Sequence, residues 1–294
     1  MSRRLTGALS GLALLTFVII WAAVHYGFIY IGERGFDIID MVQRPIYVPV
    51  GDAAHIHMTL NMIYGDLQLE SGPVGLLTGS TRYNVAEFAP RVVYEEDGDR
   101  GQLLMDHFHG VDSTRLINRE GRINTWNLIL TDHLSIEELE VVVLLGSGNL
   151  DLRGLHLRHG SLALIAGDFT VDLRGNWEQS SVVQITGVTG EIQVLLPDEV
   201  STLVILDNAA RTLNVAGLAK LADPPTPTSL PAALMQQRDF LDRNEAGDEE
   251  TNNRVEEWED YTFYANPGYK EGAVTLYVQV ADAFGTLSLI AESP

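Results

Sequence analysis

Cysteine is absent from the 294 residues, which removes disulfides, thiolate metal sites, a cysteine nucleophile and a lipid-modified N-terminal cysteine together. Lysine is nearly absent as well: Lys220 and Lys270 are the only two, and the remaining positive charge is arginine. Basic residues number 19 against 40 acidic ones, a formal net charge of -21. Phosphate backbones require clustered Lys and Arg, so a nucleic-acid partner is excluded, and anionic lipid headgroups are disfavoured for the same reason. Two chemical signatures are also missing. There is no Gly-x-Ser-x-Gly elbow for a serine hydrolase and no Asp-x-Asp-x-Asp-Gly loop for calcium.

Charge is lacking altogether in one long stretch. From Leu5 to Gly32, "LTGALSGLALLTFVIIWAAVHYGFIYIG" holds no Asp, Glu, Lys or Arg, and about 20 apolar residues in a helix cross a bilayer core. The expectation is a transmembrane helix. Arg3 and Arg4 precede it, whereas Glu33, Asp37 and Asp40 come after it, so the positive-inside bias puts the N-terminus in the cytoplasm and everything beyond residue 32 outside. Trp21, Tyr26 and Tyr30 lie near the exit end, where amphipathic rings prefer the interface. "WAAVHYG" offers no small-x-small cleavage site, which favours a retained anchor over a signal peptide.

The chain beyond the apolar stretch is repetitive. A glycine opens an apolar-polar alternation at Gly65-Asp66-Leu67-Gln68-Leu69, Gly148-Asn149-Leu150-Asp151-Leu152, Gly190-Glu191-Ile192-Gln193-Val194 and Gly285-Thr286-Leu287-Ser288-Leu289, with a further copy at Gly167. Alternation of period two is that of a half-buried strand. The central copies start at Gly148, Gly167 and Gly190, a spacing too short for a strand-plus-helix repeat with only strands and turns between, and suited to short strands stacked in coils. The fold class expected is therefore all-β: a β-solenoid, or β-helix-like, extracytoplasmic domain on a single N-terminal transmembrane helix. Asp-Leu-Arg-Gly appears twice, at 151–154 and 172–175. In a solenoid Leu152 and Leu173 point inward, Asp151, Arg153, Asp172 and Arg174 point outward, and Gly154 and Gly175 turn the corner. Stacking in register would set like charges above one another unless they pair diagonally, which a one-residue offset would allow; the sequence leaves that offset open.

The series "NMIYGDLQLESGPVGLLTGSTRYNVAEFAPRVVYEEDGDRGQLLM", "NTWNLIL", the two Asp-Leu-Arg-Gly copies, "ITGVTGEIQVLLPDEV" and "NPGYKEGAVTLYVQVADAFGTLSLI" resembles the toast-rack family of bacterial envelope proteins over residues 53–219 and 261–291. Those proteins are similar to the extracytoplasmic domains of membrane regulators of cell-wall-antibiotic response. The resemblance implies a solenoid-like all-β domain on a membrane anchor, with no known enzymatic activity and no catalytic residues to carry over. A single span, in place of the regulators' several, argues against a direct regulatory role.

The organisation expected is a cytoplasmic tip and transmembrane helix over 1–32, a juxtamembrane linker over 33–52, the solenoid over 53–221, an insertion over 222–260 and final β coils over 261–294. The insertion opens with the proline-rich "ADPPTPTSLP", continues with "PAALMQQRDFLDRN", which reads as a short helix, and ends in the acid-dense "EAGDEETNNRVEEWEDY". The one constellation that could hold a metal is the pair of His-x-His motifs, His55 with His57 and His107 with His109. Spacing of two on a strand puts both imidazoles on one face. The pairs meet only if the strands near 55–62 and 102–108 run antiparallel; exposed strand-end histidines account for the same residues. His156 and His159 read as outward rung and turn positions. No cofactor is implied.

The functional expectation is a non-enzymatic envelope scaffold or protein-interaction module in the bacterial cytoplasmic membrane, contacting lipid through residues 5–32 and binding a protein partner or a second copy of itself. The alternatives are an envelope-stress sensor acting through partner transmembrane helices and a glycan-binding or polysaccharide-active β-helix protein.

Overall fold

The computed structural model describes residues 38–107, 121–175, 177, 179–207, 212–222, 225, 261–270, 273–282 and 284–292. The expected transmembrane helix, His109 and nearly all of the 222–260 insertion lie outside the described residues. Among the described residues no helix is long and apolar enough to cross a membrane.

The described chain is almost wholly strand. In order it forms β1 (Ile38–Val48), β2 (His55–Gly72), β3 (Leu77–Val85), a 3-10 turn at Ala86–Phe88, β4 (Arg91–Asp97), β5 (Arg100–Asp106), β6 (Asn124–Thr131), β7 (Ser135–Asp151) and β8 (His156–Asp172). Beyond these lie β9 (Ser181–Leu196), β10 (Thr202–Asp207), β11 (Thr212–Ala216), β12 (Ala219–Lys220), β13 (Tyr261–Ala265), β14 (Leu276–Asp282) and β15 (Thr286–Ala291).

β2, β7, β8 and β9 lie side by side and parallel. Chain reach dictates their shape. A straight strand of the 17 residues of β7 would extend about 55 Å. Ser135, at the start of β7, nonetheless pairs beside His156, at the start of β8, and Leu152–Leu155, which join the two strands, reach at most about 18 Å. Each long strand must therefore double back. It does so at a column of glycines: Gly65 pairs with Gly146, Gly146 with Gly167, and Gly167 with Gly190. A Cβ on Gly146, Gly167 or Gly190 would run into the carbonyl oxygen of the preceding glycine in the column. Hydrogen at the bend is the condition for the coils to stack at strand spacing.

The bend divides the sheet into two leaves that share one core. The first halves of the long strands continue into β5 and β4 beyond β2, and into β14, β10, β13 and β12 beyond β9. The second halves continue into β6, β3 and β1 on one side and into β15 and β11 on the other. Between the leaves lie Met58, Leu60, Val141, Val143, Leu162, Leu164 and Ile185 from the first and Leu67, Leu69, Leu150, Leu152, Val171, Leu173, Ile192, Val194 and Leu287 from the second, all buried. Burial of each such side chain contributes roughly 1.5–3 kcal/mol, and because every coil stacks on its neighbours the apolar interior is continuous.

Two sequence expectations are corrected, and the order of the coils is a further finding. Residues 38–48, assigned to the linker 33–52, form β1, paired antiparallel with β3; as an edge strand exposed on both faces over much of its length, it lacks the alternation by which strands are recognised. The repeat phase also differs, since Gly146 and not Gly148 aligns with Gly167, and Gly148 lies beside Phe169. Finally, the coils do not run in chain order. β10 and β11 pair parallel with β14 and β15, which in turn pair with β9; the last segment of the chain is wedged between the two coils that precede it. Asn266 ties this return together, its Oδ1 accepting the Thr202 N–H at 3.1 Å while its Nδ2 donates to the carbonyls of Pro197 and Val200 at 2.8 and 2.6 Å.

Candidate functional site

Asp-Leu-Arg-Gly has a local logic. Asp151 Oδ1 accepts the backbone N–H of Arg153 at 3.1 Å, and the guanidinium forks back on the same carboxylate through Nε at 2.8 Å and Nη2 at 2.6 Å. Asp172 and Arg174 repeat this at 3.0, 3.0 and 2.7 Å. An aspartate that captures the N–H two residues on makes a turn; the Leu between points into the core, and Gly154, at φ +76°, continues the corner. The two copies stack in register, Asp151 beside Asp172. No one-residue offset is needed, because Arg153 Nε also lies 3.4 Å from Asp172 Oδ2 and Arg174 Nη1 reaches Glu292 at 2.8 Å on the coil beyond. The charges alternate across three coils. The hydrogen bonds from Arg153, opposed by partial burial, hold Asp151 below the usual carboxylate range, while Asp151 and Asp172 raise the Arg153 guanidinium.

A second charged row crosses the outer face of the first leaf. β7 carries a bulge against β2, where Ile56 pairs with Ile136 but His57 with Glu138; Glu137 and Glu138 therefore both face outward. His55 Nδ1 lies 3.0 Å from Glu137 Oε1, and His57 Nδ1 lies 3.2 Å from Glu138 Oε2. Arg158, on β8, donates to Glu137 Oε2 at 3.1 Å. Burial would raise the Glu137 carboxyl, but the hydrogen bonds and charges of His55 and Arg158 outweigh it and lower its pKa. Basic, acidic and basic side chains thus occupy successive coils.

β2 and β5 run parallel, His55 opposite Arg100 and His57 opposite Gln102. His55 and His57 accordingly sit toward one end of the strand pair and His107 toward the other, beyond Asn61 and Asp106, about 17 Å along the strand from the level of His57. His107 is fully buried. Its Nε2 accepts the Ile63 N–H at 3.0 Å, and its ring meets Trp126 edge-on and Phe88 at a tilt, both with centroids 5.6 Å away. That lone pair serves the sheet. Among the described residues no group of three or more His, Asp or Glu is placed to hold a metal ion. His156 joins His133, Ser135 and Gln179 around an open depression of about 450 Å³ at the start of β7 and β8.

The family model for the N-terminal domain of toast_rack, DUF2154, matches residues 39–195, more than half of the chain. The chain belongs to the toast-rack family. The match begins in β1 and ends in β9, so it spans the bent strands, the glycine column, the His55–Glu137–Arg158 row and both Asp-Leu-Arg-Gly corners, leaving Glu292 and the wedged C-terminal coil of this toast-rack protein beyond it. Among solved structures, a Clostridium sporogenes protein described as a "putative cell adhesion protein" has 18% identity and a TM-score of 0.62, with 86% of this chain and all of that one covered. At that identity the likeness shows a shared fold. No curated protein matches the sequence.

Glu137 and Glu138, which tie the histidine motif of β2 to the next coil of this toast-rack domain, belong to no motif that marks them in the sequence. A subtler signal is present: Ile136 and Leu139 are both fully buried and stand three apart where a regular strand spaces its inward residues by two. A break of that kind marks a bulge.

Proposed function

We propose that this toast-rack protein is a non-enzymatic scaffold of the bacterial envelope, anchored by residues 5–32 with its N-terminus in the cytoplasm, and that its solenoid binds a protein partner by surface complementarity. The observation that carries the reading is the use made of the outer charges. Asp151, Arg153, Asp172, Arg174 and Glu292 pair across coils, as do His55, Glu137 and Arg158. Charged side chains held by their neighbours across the coils present fixed polarity on a stiff surface, which suits recognition and steering of a partner. Membership of an envelope family and the adhesion description of the Clostridium sporogenes protein support the same reading.

The test is fractionation of cells expressing the full chain, then detergent solubilisation and cross-linking. The expected result is a chain that stays with membranes through alkaline carbonate, is digested by protease only from the outer side, and cross-links to a defined partner in a manner weakened by Arg158→Glu. Recovery in the soluble fraction, or protection from external protease, overturns the reading.

A further inference from the structure

Large apolar side chains exposed to solvent are few among the described residues, and their distribution is uneven. Ile38, Ile39, Met41, Tyr47 and Val50 fall within thirteen consecutive positions, with Phe284 apart from them. Ile38, Ile39 and Met41 are 56%, 38% and 42% exposed and crowd the first four residues of β1. That end of the strand lies beyond the main core: its first buried residue is Ile46, and before it Val42 packs only on the small cluster of Tyr83, Val85 and Phe88. Exposed apolar side chains gathered at one end of a strand mark an interaction site.

The chain preceding β1 says what covers it. The uncharged stretch read as the membrane span ends at Gly32, six residues before Ile38, a separation of at most about 20 Å even fully extended. We infer that the N-terminal end of β1 rests on the outer lipid surface through Ile38, Ile39 and Met41, so that the solenoid docks on the bilayer instead of swinging from a tether. The inference rests on the reading of residues 5–32 as the anchor.

The local chemistry fits a lipid surface better than an added strand. Pro45 lacks an N–H and the register against β3 shifts between Ile38 and Val42, two features that blunt an edge against pairing. Exposed Asp40, among the apolar residues, and the formal charge of -21 select zwitterionic over anionic headgroups. β1 also sets a depth limit. Tyr47, 69% exposed, lies about 30 Å along the strand from Ile38, well beyond headgroup reach if β1 stands upright on the membrane.

The absence of cysteine makes the test clean. The full-chain variants Ile38→Cys, Met41→Cys and Tyr47→Cys, spin-labelled and reconstituted in phosphatidylcholine nanodiscs, are compared for accessibility to oxygen and to a water-soluble nickel chelate. The expected result is an oxygen-to-chelate ratio at 38 and 41 at least threefold above that at 47, with unchanged melting of all three proteins. Equal ratios at the three sites in a disc-bound chain overturn the docking while leaving the anchor in place. Dipolar broadening between labels, reporting a second copy over this end of β1, also overturns it. A chain that fails to enter discs overturns the anchor and the docking with it.

Discussion

Arg153 bridges two coils to Asp172: its Nε stands 3.4 Å from the Asp172 carboxylate while its Nη2 holds Asp151 at 2.6 Å. One guanidinium thereby separates two carboxylates that the register places side by side. Stacked repeats bring identical residues together by construction, and this arrangement turns what would be repulsion into a cross-coil tie.

Replacing that guanidinium should expose the repulsion. Arg153→Met keeps most of the side-chain volume and leaves Asp151 and Asp172 adjacent, with an expected loss of about 1–2 kcal/mol in urea unfolding, held to that size by the exposed outer side of Arg153. Adding Asp151→Asn removes the uncompensated charge and should restore part of the loss; a double variant less stable than the sum of the singles contradicts the cross-coil role.

Acid should weaken the same contacts. Asp151 and Glu137 both have folded-state pKa values below their ordinary ones, the first through hydrogen bonds from Arg153 and the second because His55 and Arg158 outweigh the effect of burial. A carboxyl depressed in the folded state binds fewer protons there than in the unfolded chain. Its contribution is present in full above the unfolded pKa, about 3.9 for Asp and 4.3 for Glu, and is lost as pH falls through the folded value. Urea midpoints should hold steady with respect to these groups from pH 7 to 5 and fall below about pH 4.5, with a shallower fall in Arg153→Met.

Gly167 tests the bend. Its φ is +140°, and a Cβ there would strike the carbonyl oxygen of Gly146. Gly167→Ala should cost more than about 3 kcal/mol or prevent folding, since both strain and overlap fall on packed backbone. Gly98, at φ +64° with open space around it, is the control: Gly98→Asn should stay within about 0.5 kcal/mol, because Asn tolerates that conformation. Equal melting of the two variants contradicts the stacking of the column.

The coil order makes the C-terminus central to stability. Removing residues 276–294 deletes β14 and β15, the parallel partners of β10 and β11. Hydrogen exchange should show protection lost over 212–216 and lowered over 202–207, where β10 keeps its antiparallel pairing with β13, but kept in β7 and β8. Unchanged protection over 212–216 would mean that β11 can pair elsewhere.

The insertion should be dispensable to the sheet. Leu221 donates to the Phe263 carbonyl at 2.9 Å, and Lys220 pairs with Tyr264, so the chain leaves and returns at adjacent points. Substituting residues 223–260 by a short Gly/Asn turn should preserve the far-ultraviolet dichroism and shift melting by no more than a few degrees. Loss of cooperative melting would show that the segment belongs to the folded unit.

Much of the architecture is legible in single residues. Leu152, Leu173, Ile192 and Leu287 alternate with polar neighbours, and all four are buried. The outward rungs are equally legible at Asp151 and Arg174. His107 is not, because an imidazole on a strand end looks the same whether it faces water or accepts a buried N–H, and only the packing of Phe88 and Trp126 around it distinguishes them. The repeat phase is misread at Gly148 for a similar reason: two glycines stand two apart, and alternation alone does not say which one forms the bend.

By itself the sequence determined the period of two, the glycine punctuation and the inward and outward faces, because these arise from local backbone geometry and the exclusion of hydrocarbon from water. The tertiary structure alone decided the register of Asp151 on Asp172, the parallel course of β2 and β5 that sets His57 and His107 apart, and the wedging of β14 and β15 between β9 and β10–β11. Each depends on which strand edges meet, and hydrogen-bonding edges are nearly alike in every strand, so the choice among them is made by packing across the whole sheet.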